Sequence, residues 1–144
     1  VANPSSNDDV TVSTGALVFG SIDLGGGRNT LIGGEAKIYG HIYLGTGVAE
    51  LSGTTYSGSF YGGGNRMRGE AAVNVTLSNV VGYNFFGGGY KAGVDSVVVN
   101  LNGARINYFY GGGLQGAVDK TVNVTVNEIL WRRRRWRGQW RHHH

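Results

Sequence analysis

The chain contains no cysteine and a single proline, Pro4. Without cysteine there are no disulfides, no thiol nucleophile and no thiolate-ligated metal, and redox chemistry fixes no compartment. No apolar run approaches the ~20 residues of a membrane-spanning helix, and no charged start followed by an apolar stretch marks a secretory signal. Histidine is scarce in the body of the chain. Three of the four histidines close the sequence, His142 to His144, in the manner of part of a purification tag. The remaining one, His41, has no Ser or Asp arrangement around it and reads as a solvated strand residue.

What is abundant is glycine, 27 residues of 144, in a length that suits one domain. The glycines cluster in threes instead of recurring every third residue, which excludes collagen. Alternating apolar runs separate the clusters, which argues against disorder. Glycine therefore punctuates strands.

The punctuation is periodic. Triplets begin at Gly62, Gly87 and Gly111, spaced 25 and 24 residues apart, with Gly25 to Gly27 and Gly45-Thr46-Gly47 as shorter-spaced versions. The segments before them align as Ser21-Ile22-Asp23, His41-Ile42-Tyr43, Ser59-Phe60-Tyr61, Asn84-Phe85-Phe86 and Tyr108-Phe109-Tyr110. A second strand is marked by period-two alternation: Val73, Val75 and Leu77, then Val97, Val99 and Leu101, then Val122, Val124 and Val126. One repeat of ~24 residues encloses no core, but stacked repeats pair strand on strand at ~4.8 Å and build ladders of like residues. The expected fold is all-β, a right-handed parallel β-helix (β-solenoid) of five to six short rungs, roughly 25 Å long. Glycines at the corners are expected to supply positive φ. Ile22, Ile42, Phe60, Phe85 and Phe109 are expected to point inward, and Asp23, Tyr43, Tyr61, Phe86 and Tyr110 outward. An antiparallel hairpin array or sandwich would share the short strands and glycine turns, but predicts less regular recurrence.

The unit V-N-V-T-L or V-V-V-N-L followed by N-F-F-G-G-G or Y-F-Y-G-G-G resembles the glycine-rich β-helical repeats of bacterial cell-surface and autotransporter-like passenger proteins. The resemblance covers about residues 10 to 130 and is one of repeat style. It implies an extracellular or cell-surface module for adhesion, binding or self-assembly, non-catalytic and without cofactor. It further implies a glycan or surface protein as partner. Separately, open solenoid ends expose unpaired strand edges that need caps or partners, so self-association through the ends is expected, with the polar segment Asn3 to Val10 suited to cap one of them. The chain is shorter than such proteins. Parallel β-helices also serve carbohydrate-active enzymes, so an enzyme fragment is the alternative, although no cluster of acids with basic partners accompanies the repeats.

Within the repeats, the outward column Tyr43, Tyr61, Phe86 and Tyr110 is the candidate ligand-binding ladder. Aromatic faces at one-rung spacing suit sugars or a flat apolar partner. The competing role, which like neighbours on stacked strands favour, is packing on one another or beneath the glycine turns. Glu70, Asp95 and Asp119 precede strands at similar positions. With Lys120 adjacent and no dense D-x-D pattern, corner hydrogen bonding suits them better than calcium or paired-carboxylate chemistry. No metal site is expected. The sequons at Asn74 and Asn123 lie inside predicted strands, and no lysine follows the glycine triplets in phosphate-loop spacing.

Charge divides the chain. Residues 1–130 carry seven Lys/Arg against nine Asp/Glu, whereas Arg132, Arg133, Arg134, Arg135, Arg137 and Arg141 lie after them with no acid. Trp131, Trp136 and Trp140 are interleaved with these arginines and are the chain's three tryptophans. The expected organisation is a polar cap or linker over 1–9, repeats over 10–130 and a non-repeat tail over 131–144. Taken at face value, the tail is a candidate anion-binding segment for nucleic acid or an anionic membrane surface. A tract written in Arg, Trp and Gly also fits a glycine-rich stretch read in another frame, at the point where the next glycine turn is due.

Overall fold

A computed structural model describes residues 7–66, 68–69, 71–129 and 140–141. The described residues contain thirteen strands and no helix. In chain order these are β1 (Asp9–Val12), β2 (Leu17–Phe19), β3 (Ile22–Asp23), β4 (Asn29–Gly33), β5 (Lys37–Tyr39), β6 (Ile42–Tyr43), β7 (Gly47–Ser52), β8 (Thr55–Tyr61), β9 (Val73–Ser78), β10 (Val81–Phe86), β11 (Val94–Tyr110), β12 (Val118–Ile129) and β13 (Trp140–Arg141). Each strand pairs in parallel with its counterpart one turn away, so the fold is a parallel β-solenoid and not an antiparallel array. Five turns follow one another, and β12 with β13 supplies part of a sixth.

The first face stacks β1, β4, β7, β9, the front of β11, and β12. Its register aligns Asp9, Thr30, Val48, Asn74, Val98 and Asn123, so successive turns take 21, 18, 26, 24 and 25 residues. The period seen in the sequence thus belongs to the later turns, and the first two are narrower. On this face Leu31, Ala49, Val75 and Val99 form one buried column, and Leu51, Leu77 and Leu101 the next.

The second face stacks β2, β5 and the starts of β8 and β10 onto the middle of β11. Beyond a corner, β3, β6 and the ends of β8, β10 and β11 place Ile22, Ile42, Phe60, Phe85 and Phe109 in one column, as expected. Phe60 and Phe85 stack at 5.2 Å, and Phe85 and Phe109 at 4.9 Å. The change from isoleucine to phenylalanine fills the wider later turns. Each fully buried ring contributes roughly 1.5–3 kcal/mol of transfer free energy.

The role of glycine differs from the expectation in one respect. Positive φ occurs at Gly25, Gly27, Gly45 and Gly47 in the narrow turns, but at none of the glycines in the triplets that begin at Gly62, Gly87 and Gly111. The triplets are required by close approach instead. A Cβ on Gly63 would lie 2.6 Å from the Gly89 backbone nitrogen, and one on Gly88 would lie 2.7 Å from that of Gly113. Three backbones nest at van der Waals distance there, and only hydrogen fits between them.

Buried polar groups close the narrow corners. Asn29, fully buried, donates through Nδ2 to the carbonyls of Gly26 (2.9 Å) and Leu44 (2.7 Å), and its Oδ1 accepts from the Asp8 N–H at 3.0 Å. Thr46 donates to the Gly27 carbonyl at 2.5 Å, and Thr54 donates to that of Gly34 at 2.6 Å. These side chains satisfy carbonyls that leave the ladders where the chain bends.

Candidate functional site

The aromatic column predicted outside the corner is present and continuous. Tyr43 and Tyr61 stack at 5.0 Å and 3°, Tyr61 and Phe86 at 5.0 Å and 8°, and Phe86 and Tyr110 at 4.9 Å and 7°. Its middle is sealed: Tyr61 is 4% exposed and Phe86 6%. Tyr90, on the loop after the second triplet, sets its ring edge-on against Tyr61 at 5.7 Å, and the Lys91 ammonium lies over Tyr90. Burial, followed by the neighbouring Tyr61, Asp23 and Tyr90 charges, raises the Tyr43 hydroxyl above its ordinary range. Burial likewise raises Tyr61, against a hydrogen bond with Ser59 that lowers it. Asp23, half-buried at the head of the column, accepts from the N–H of Gly25 in its own corner at 2.9 Å. Only Tyr43 and Tyr110, at the two ends of the ring stack, are partly open.

The exposed rings lie on the second face. Alternation there puts Val18, Ile38, Tyr56 and Ile106 toward the core and the residues on either side of them outward. One outward column is Leu17, Lys37, Thr55, Val81 and Arg105. The other starts with Phe19 and Tyr39, paired in register, and continues with Ser57 and Tyr83 in the following turns. Leu17, Phe19, Tyr39, Val81 and Tyr83 are between 41% and 78% exposed. Phe19 and Tyr39 stack at 5.2 Å, and Tyr83 meets Tyr108 edge-on at 6.4 Å. Lys37 and Arg105 are exposed in the first of these columns, and neither column contains an acid. This strip was not singled out from the sequence, because Leu17-Val18-Phe19 and its counterparts show no period-two contrast. Counting back four or five residues from the Ile/Phe column finds it. Gly20, Gly40 and Gly58, which mark the corner in the first three turns, were a further signal.

The acidic column resolves into ion pairs. Arg68 donates to Asp95 at 2.5 Å and to Asp119 at 2.8 Å, and Lys120 lies 4.0 Å from Asp95. One guanidinium thus bridges the carboxylates of two successive turns at the protein surface. Glu70 lies outside the described residues. Among the described residues no three His, Cys, Asp or Glu side chains converge as a metal site. A shallow, open depression lined by Glu35, Ala36, Lys37, Gly53 and Thr55 pairs one acid with one base.

His41 is exposed, as expected, but is tied into the stack. Its Nδ1 accepts from the Ser59 N–H at 3.0 Å, and its own N–H donates to the Ser21 hydroxyl at 3.2 Å. Of the candidate anion-binding tail, Trp131, Arg132, Arg133, Arg134, Arg135, Trp136 and Arg137 lie outside the described residues. The backbone of Trp140 and Arg141 forms β13, in register with Phe109 and Tyr110 of β11.

Comparison with protein-family models, with curated proteins and with solved structures finds no match to this chain.

Proposed function

We propose that the chain is a non-catalytic, surface-displayed binding module, extracellular or on a bacterial cell surface, which holds an extended partner against the second face of its solenoid. The observation that carries this reading is the strip of Leu17, Phe19, Tyr39, Val81 and Tyr83, large apolar side chains left in solvent on a sheet whose inward column buries Ile38, Tyr56 and Ile106. A scattered exposed leucine needs no explanation, whereas Phe19 stacked on Tyr39, Tyr83 two turns on, and Leu17 and Val81 beside them on one face do. The strip is one strand wide and about 20 Å long at ~4.8 Å per turn, which suits a glycan or an extended peptide segment. Lys37 and Arg105 within it favour a partner carrying negative charge. The ring column Tyr43 to Tyr110 then supports the site from behind the corner, and its middle rings are unavailable to ligand.

The experiment is a glycan and surface-protein array probed with the full chain and with a Phe19→Ser/Tyr39→Ser variant. Binding that falls at least tenfold in the variant, with the circular dichroism of the sheet unchanged, supports the assignment. Equal binding by both chains, or none by either, contradicts it.

A further inference from the structure

The two ends of the solenoid are complementary to each other, and we infer that a second copy of this chain stacks on the first, head to tail, by adding its β1 to the open edge of β12. The inference is independent of the binding strip. It rests on the phase of the hydrogen bonds. Throughout the stack, residues whose side chains point outward donate their N–H to the preceding turn: Thr30 to Asp8, Lys37 to Ala16, Thr55 to Ala36, Val81 to Thr54 and Arg105 to Val80, all at 2.8–3.0 Å. Residues of inward phase donate to the following turn, as Ile22 does to His41, Asn29 to Thr46, Gly47 to Ala72 and Gly53 to Ser78. By the same alternation, Asp9 and Thr11 of the first turn direct their peptide groups away from the stack, and Val122, Val124 and Val126 of the last turn do so at the other end. Among the described residues, β1 pairs with β4 and β12 with β11, so both outer edges lack a strand. One end needs a partner in the phase that the other end provides.

The side chains match as well. The first strand reads Asp9-Val10-Thr11-Val12 and the last reads Asn123-Val124-Thr125-Val126, at equivalent register positions of the same face. Stacking one on the other would put valine on valine in both inward columns, threonine beside threonine outside, and Asp9 beside an amide instead of another acid. Val10 and Val124 are only partly buried in the single chain, as are Val18, Ile22, Val122 and Val126 at the two ends, whereas Val75 and Val99 in the middle of the same column are fully buried. Such a contact is heterologous and does not close on itself, so repetition yields a filament.

Proline separates the two edges. Thr11→Pro removes a donor that faces away from the stack and blocks the first-turn end. Val124→Pro does the same at the last-turn end, and proline at an outward-bonding position of an edge strand leaves the internal ladder intact. Sedimentation velocity of the full chain, taken up to about 1 mM because a joint of one turn is small, is expected to show a mean mass rising with concentration above the 15.3 kDa of one chain. Each proline variant, checked for sheet content by circular dichroism, is expected to stay at the mass of one chain. An equimolar mixture of the two is expected to give a 1:1 dimer and nothing larger. A wild-type chain that stays at 15.3 kDa at every concentration overturns the inference whether or not the variants fold. Undiminished assembly of folded Thr11→Pro, or a mixture of the two folded variants without dimer, overturns it equally.

Discussion

Tyr56 and Gly82 share one place in the core. The Tyr56 ring, 2% exposed, leans across the turn above it, and its hydroxyl donates to the Asn84 carbonyl at 2.9 Å. Gly82 is paired with Tyr56 in the register, and a Cβ there would overlap the ring at Cζ, Cε2 and the hydroxyl oxygen. A tyrosine in one turn is therefore matched by a missing side chain in the next. Gly82→Ala is expected to cost about 1–3 kcal/mol through overpacking. The cost should shrink by more than about 0.5 kcal/mol in a Tyr56→Leu background, since the two sites are in contact. Urea unfolding of the four chains of this cycle measures the coupling, and additive effects would disprove the shared site.

Burial gives the fold an alkaline limit. It raises the hydroxyls of Tyr56, Tyr43 and Tyr61 above the ordinary value of 10.0, Tyr56 the most. The folded chain then holds these protons more tightly than the unfolded chain. Their contribution is fully present below pH 10 and is lost as the pH rises past the unfolded value toward the folded ones. The urea midpoint is expected to show no decline from these tyrosines between about pH 7 and about pH 9, and to fall above about pH 10. Tyr56→Phe, which keeps the ring and removes the ionisable group, should fall less steeply. An identical alkaline decline in wild type and variant would rule out the Tyr56 contribution.

The sealed column and the open strip differ in what they do for stability. Phe86→Ala removes a ring stacked on both faces and is expected to cost about 3–5 kcal/mol. Phe19→Ala, at a side chain 78% exposed, is expected to stay within about 0.5 kcal/mol of wild type. Binding should respond in the opposite order once folding is restored by temperature or osmolyte. A Phe19 variant as unstable as the Phe86 variant would show that the strip is core and not surface.

The inner column was legible because each glycine cluster fixes the place of the residues before it, so Ile22, Ile42, Phe60, Phe85 and Phe109 could be aligned by eye. The first face was legible in its last three turns, where Val73, Val75 and Leu77 and their counterparts recur at alternate positions. Three things were not. Tyr56 with Gly82 is a complementarity across turns, invisible to any single-repeat pattern. The bridge from Arg68 to Asp95 and Asp119 depends on a loop longer in one turn than in the next, and the sequence offered only the acids. The exposed strip went unseen because the corner holds an extra residue in the first three turns: Leu17, Lys37 and Thr55 stand five positions before their column residue, and Val81 and Arg105 four. A fixed offset therefore misaligns the very positions that face solvent.

Parallel, in-register stacking of the turns underlies all of these relationships, and the absence of native cysteine permits a clean test of it. Asn74 and Val98 are register partners whose side chains both point outward on the first face. Their Cα atoms therefore lie about 4.8 Å apart, within disulfide range. In the Asn74→Cys/Val98→Cys chain, mild oxidation is expected to close one intramolecular disulfide nearly completely, read as a loss of two hydrogens by mass spectrometry. In Asn74→Cys/Asn100→Cys, on the same face but two residues out of register, it should close little or none. Closure of the second pair in preference to the first would contradict the stacking.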